Sequence, residues 1–141
     1  MTASTLPGAA AERERYPMAE GLLHYFPAAL AAVSEVSLIG NEQHNPGQPM
    51  HWARGKSTNH ADKIIRHLVD AGTLDTDGTR HSAKLAWRAL ALLQEELERA
   101  GAPLARNARP PEMHISIPAP AGTIDAEVEA LLPPNTEAGE D

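Results

Sequence analysis

The chain has 141 residues, 42% of them hydrophobic but only 4% aromatic, and a net charge of -7 with histidine neutral. That length suits one domain, and a core drawn from Leu, Ala, Val and Ile suits helix packing better than a β-sandwich. The acidic balance excludes a sequence-independent grip on duplex nucleic acid, which needs a basic face. The absence of cysteine excludes disulfides and thiolate metal sites.

Residues 1–17 mix Gly, Ala and Pro with the alternating charges Glu12, Arg13, Glu14 and Arg15, and read as a flexible arm. No basic region followed by a long apolar stretch marks a secretory signal there. No apolar run reaches the roughly 20 residues of a membrane span. A cytoplasmic location without membrane contact is therefore expected.

Residues 18–101 carry the helical patterns. Met18 to Phe26 suggests a short helical turn. A first long helix is predicted from Pro27 to Gln43, because Pro fits the first helical position, where its missing N–H costs nothing. Leu30, Val33, Val36 and Ile39 give it an apolar face, and Asn45-Pro46-Gly47-Gln48-Pro49 stops it. A second helix is predicted from His60 to Ala71, capped by Ser57, Thr58 or Asn59, with Gly72 at its left-handed end. Ala61, Ile64, Ile65 and Leu68 are its expected core stripe. Asp75-Thr76-Asp77-Gly78 then reads as a turn. A third helix is predicted from Arg80 to Ala100, with Ala83, Ala86, Trp87, Leu90, Leu93 and Leu97 at helical spacing and Gly101 as its stop.

Residues 102–141 hold Pro103, Pro110, Pro111, Pro118, Pro120, Pro133 and Pro134, which excludes one regular element. Met113 to Ile117 alternates like a short strand, and Ile124 to Leu132 has a helical pattern. Either can pack on a neighbouring subunit, although a loose tail is the simpler reading. Asn135 to Asp141 reads as disordered. The expected fold is all-α: a bundle of three to four helices, completed by homo-oligomerisation because so few helices bury little alone.

The polar faces of these helices are chemically biased. Successive residues turn by about 100° on a helix, so positions seven apart nearly eclipse. Glu35 and Glu42 share one stripe of the first helix, and His60 and His67 share one on the second. Asp62 and Arg66 flank the latter. His81, Lys84, Arg88 and Glu95 line the third.

Phosphoanhydride cleavage needs this mixture. Carboxylates hold Mg²⁺ or Mn²⁺ through hard oxygens, and the metal bridges phosphates and activates water. Glu35, Glu42 and Asp62 are the candidate ligands. Lys and Arg neutralise phosphate, so Arg54, Lys56, Arg66, Lys84 and Arg88, with His60 and His81, are candidate nucleotide contacts. Trp52 is placed to stack on a base. His67 and Glu42 are the candidate catalytic residues, His67 as acid, base or water-orienting group.

Each has a plainer reading. A Glu pair at this spacing is usually a solvated face. Boundary histidines often bond backbone or carboxylate. Asp62 and Arg66 form an ordinary i, i+4 pair. Trp87 fits a core, and Trp52 can be a loop anchor. The seven histidines also leave open an imidazole-bound zinc, manganese or iron. No HExxH, phosphate-binding glycine loop or nucleophile-elbow serine is present.

Taken in order, Phe26-Pro27-Ala28-Ala29-Leu30, Glu35-Val36-Ser37, Gly40-Asn41-Glu42, Asn45-Pro46-Gly47, Trp52, Arg66-His67-Leu68 and the run from His81 to Leu93 form a series. This series resembles the phage and prophage dATP/dGTP diphosphohydrolases, which are similar to the MazG-like all-α nucleotide pyrophosphohydrolases. The resemblance covers about residues 20–98. It implies an oligomeric helical bundle, a divalent metal held by acidic residues between helices, and a purine deoxynucleoside triphosphate as substrate. MazG-like enzymes carry E-x-x-E and a later E-x-x-D. Here the glutamates are seven apart and the second helix offers His67-x-x-Asp70. A nucleotide-sequestering protein and an assembly protein with a contact tail are the competing expectations.

Overall fold

The computed structural model describes residues 4–108, and these are all-α. Four α-helices follow one another: α1 Ala10–Arg13, α2 Pro27–His44, α3 His60–Val69 and α4 His81–Arg99. A π-helical turn covers Ala19–Leu23, and 3-10 turns cover Arg54–Lys56 and Arg106–Ala108. The patterns expected at Met113 to Ile117, Ile124 to Leu132 and Asn135 to Asp141 lie outside the described residues.

The helix limits follow local chemistry. Pro27 opens α2 in the first turn. Gly72 and Gly101, with φ of 94° and 113°, let the chain leave α3 and α4 through the left-handed region. The expected arm contains α1, whose residues bury nothing. None of the described helices is long and apolar enough to cross a membrane.

α4 is the central element and packs against both α3 and α2. The α2 contact is fastened by Trp87 Nε1, which donates to Ser37 Oγ at 2.8 Å. Two further strands of chain close over this pair. Trp52 N donates to Asn107 O at 2.8 Å, and Arg54 Nε donates to Ala108 O at 2.6 Å.

α3 and α4 keep part of the expected core, with Ala83 buried and Ile64, Ala86 and Trp87 half-buried, but bring polar positions inward beside it. Their buried positions are His60, Lys63 and His67 on α3, and His81, Ala83, Lys84, Arg88 and Ala91 on α4. Ile65 and Leu68, expected inside, are 58% and 55% exposed. Leu90, Leu93 and Leu97 are also about half exposed. The spacing is helical as expected, but polar positions share the interior. Across the α3–α4 contact His67 pairs with His81 and His60 with Arg88, and Lys84 pairs with Asp75 and Asp77 of the turn, as buried polar groups require.

Candidate functional site

Two adjoining features are built on α4. The first is a cavity of about 350 Å³ between α2, the 50–57 loop, the Asp75–Thr79 turn and α4. That volume lies at the small end of the range for ligand pockets. Trp52 and Trp87 form its aromatic wall, with ring centroids 5.6 Å apart and nearly perpendicular planes. Lys56, Asp77, Lys84 and Arg88 bring charge to its lining.

The loop that supplies Asp75 and Asp77 is a tight reversal. Asp75 N donates to Thr79 O at 2.7 Å, and Gly78 N donates to Asp75 O at 3.0 Å. Gly78 sits at φ 85°, where a side chain is disfavoured. Asp77 Oδ1 accepts from Thr79 Oγ1 at 2.6 Å and from Thr79 N at 3.0 Å. Both carboxylates thereby reach Lys84: Nζ donates to Asp75 Oδ2 at 2.7 Å and lies 2.9 Å from Asp77 Oδ2. Burial pushes the Asp77 carboxyl up, but the hydrogen bonds from Thr79 and Lys84 outweigh it and bring the pKa down to about 2. Asp75 is lowered by the same balance, with burial opposed by Lys84, the Thr76 N–H and His81.

The second feature lies behind that ion cluster. His67 is completely buried, and its Nδ1 is 3.0 Å from Nδ1 of His81, so one ring donates to the other. With Asp75 they form a group whose ligand atoms lie within 4.8 Å of one another. His67 comes from the end of α3, Asp75 from the turn and His81 from the first residue of α4. These three residues can hold a metal ion.

Further along α4, Arg88 Nη1 donates to Ser57 Oγ at 2.9 Å and to His60 Nδ1 at 3.3 Å. The ring proton of neutral His60 is then on Nε2, which faces Glu95 Oε2 at 3.4 Å. Among the expected nucleotide contacts, Trp52, Lys56, Lys84 and Arg88 line the cavity. His60 backs Arg88, and His81 belongs to the His–Asp group. Arg66 is exposed on α3, off the cavity wall.

Arg54 and Lys56 are occupied by architecture. Arg54 grips Glu98 with both guanidinium nitrogens, Nη2 to Oε2 at 2.8 Å, and lies 4.2 Å above the Trp52 ring. Lys56 Nζ donates to His44 O at 3.1 Å and to Asn45 Oδ1 at 3.2 Å, at the negative end of the α2 dipole.

Glu35, Glu42 and Asp62 are exposed and line no part of the cavity. The only group of three potential ligands among the described residues is His67, Asp75 and His81. The acidic set expected from helix phasing to hold Mg²⁺ or Mn²⁺ therefore does not converge on the cavity. From sequence alone Asp75 and Asp77 are turn residues. The signal that marks them is two aspartates facing a lysine nine and seven positions on. No protein-family model, curated protein or solved structure matches the chain.

Proposed function

We propose that this protein binds a phosphate-bearing nucleotide, a purine deoxynucleoside triphosphate by preference, and hydrolyses it between the α- and β-phosphates. The observation that carries this reading is the cavity of about 350 Å³ with two indoles on one wall and Lys84 and Arg88 in its lining. Aromatic faces accept a base by stacking. Among its hydrogen bonds, Arg88 donates to the Ser57 hydroxyl and to an imidazole nitrogen of His60. A phosphate oxygen is a stronger acceptor than either. His60 holds the guanidinium in place from behind.

A divalent cation, when bound, supplies Lewis acidity and an activated water. The chain's own part is to hold the phosphates with Arg88 and Lys84 and the base with Trp52. A nucleotide-pool activity fits a cytoplasmic protein, phage-encoded as the resemblance implies. The exposed apolar stripes on α3 and α4 support the homo-oligomer.

The exposure of Glu35, Glu42 and Asp62 favours a second reading, in which the nucleotide is sequestered intact. Incubation of the full chain with each deoxynucleoside triphosphate and Mg²⁺, Mn²⁺ or Zn²⁺, with products resolved by anion-exchange chromatography, separates the two. Hydrolysis predicts a nucleoside monophosphate and pyrophosphate. Stable binding with every nucleotide recovered intact would leave sequestration as the function.

A further inference from the structure

His67, Asp75 and His81 have the donor chemistry of a transition-metal site. Two imidazoles and one carboxylate suit Zn²⁺, Mn²⁺, Fe²⁺, Co²⁺ or Ni²⁺, whereas Mg²⁺ prefers oxygen ligands and several retained waters. The geometry agrees. A nitrogen ligand sits about 2.0–2.1 Å from zinc, so two nitrogens on one ion lie roughly 2.9–3.4 Å apart. The two Nδ1 atoms are 3.0 Å apart here. Both imidazoles would then carry their proton on Nε2 and turn their Nδ1 lone pairs to the metal. His67 and His81 are buried, so the ligands are already ordered.

Lys84 links this group to the cavity. Its ammonium shares Asp75 with the His pair and Asp77 with the cavity lining. A dication at Asp75 repels an ammonium that sits 2.7 Å from the same carboxylate.

We propose that His67 Nδ1, His81 Nδ1 and the Asp75 carboxylate bind one first-row transition-metal dication, and that its arrival releases Lys84 from Asp75 toward Asp77 and the cavity. Metal and a phosphate-bearing anion then favour one another's binding, because the released ammonium is the anion's contact. This coupling rests on the nucleotide reading; the metal site itself does not.

The test uses the untagged, chelator-treated full chain in equilibrium dialysis against Co²⁺ and Zn²⁺, with Mg²⁺ in excess. One transition-metal ion per chain is expected, with Co²⁺ showing ligand-field absorption. His81→Ala and Asp75→Asn should each weaken binding by about tenfold or more. Lys84→Met should tighten it, because the competing ammonium is gone; a merely structural His pair gives no reason for that gain.

Folded protein that takes up no Co²⁺ or Zn²⁺ would overturn the site. So would uptake unchanged by Asp75→Asn, or weakened by Lys84→Met in a variant with native helix content. Pyrophosphate affinity, measured with and without Zn²⁺, should rise severalfold with the metal. Equal affinities would overturn the release of Lys84. Metal binding without affinity for any nucleotide would contradict the proposed function and leave the metal site standing.

Discussion

Glu98 is the best-connected carboxylate of the described chain. It accepts from both terminal nitrogens of Arg54, from Gln94 Nε2 at 2.8 Å and from Ala105 N at 2.9 Å. Through Arg54 it also reaches Ala108 and the Trp52 ring, so it supports the Trp52 side of the cavity's aromatic wall. The Arg54 hydrogen bonds outweigh burial and lower its pKa from 4.5 to about 2. A carboxylate whose folded pKa is depressed stabilises the fold above its unfolded pKa and loses that contribution as pH falls through the folded one. Glu98→Gln keeps the shape and removes the charge. Urea titrations should show a loss of roughly 1.5–3 kcal/mol at neutral pH, the range for charged hydrogen bonds. The gap to the wild type should close between about pH 4.5 and 2. A gap that stays constant over that range would contradict the ion pair.

The α3–α4 unit is organised by the turn between its helices. Within the Asp75–Thr79 turn Gly78 is the one residue with positive φ, and no atom within 4 Å would meet an added Cβ. Gly78→Ala therefore reports backbone strain alone, about 1–2 kcal/mol. Because the same turn aims Asp75 and Asp77 at Lys84, the variant should also lose part of its ligand affinity. A stability loss with unchanged binding would show that the turn does not position the site.

The helices themselves were legible because Pro27, Gly72 and Gly101 punctuate them by local sterics. Which face points inward was not. Hydrophobic periodicity assigns Ile65 and Leu68 to a core, yet α3 buries His60, Lys63 and His67. His67 and His60 find partners on α4, His81 and Arg88, which lie 14 and 28 positions away in sequence. The site was legible in the same uneven way. Trp52, Lys56, Lys84 and Arg88 stand out by residue type and line the cavity. Asp75 and Asp77 were hidden because turn chemistry already accounts for an Asp-x-Asp-Gly segment. The glutamates shared a stripe, but a stripe can face solvent as readily as a pocket.

At the scale of the whole molecule, the buried apolar residues among those described are Ala83, Ala91 and Ala108. Ile65, Leu68 and Val69 on α3, and Leu90, Leu93 and Leu97 on α4, are each about half exposed or more. The proposed homo-oligomer would cover these stripes. Light scattering after size exclusion should give a multiple of the chain mass. Ile65→Glu combined with Leu68→Glu should reduce it, whereas exposed substitutions on a true monomer would change stability by only about 0.5 kcal/mol.

The central claim is that a nucleotide occupies the cavity beside Trp52. Isothermal titration of the full chain, loaded with Zn²⁺ or Mn²⁺, with the four deoxynucleoside triphosphates tests it most directly. The expected result is one purine deoxynucleotide per chain, weakened by roughly 1–3 kcal/mol in Trp52→Ala, the usual value of base stacking. Folded, metal-loaded protein that binds no nucleotide, or binds one equally well without Trp52, would contradict it.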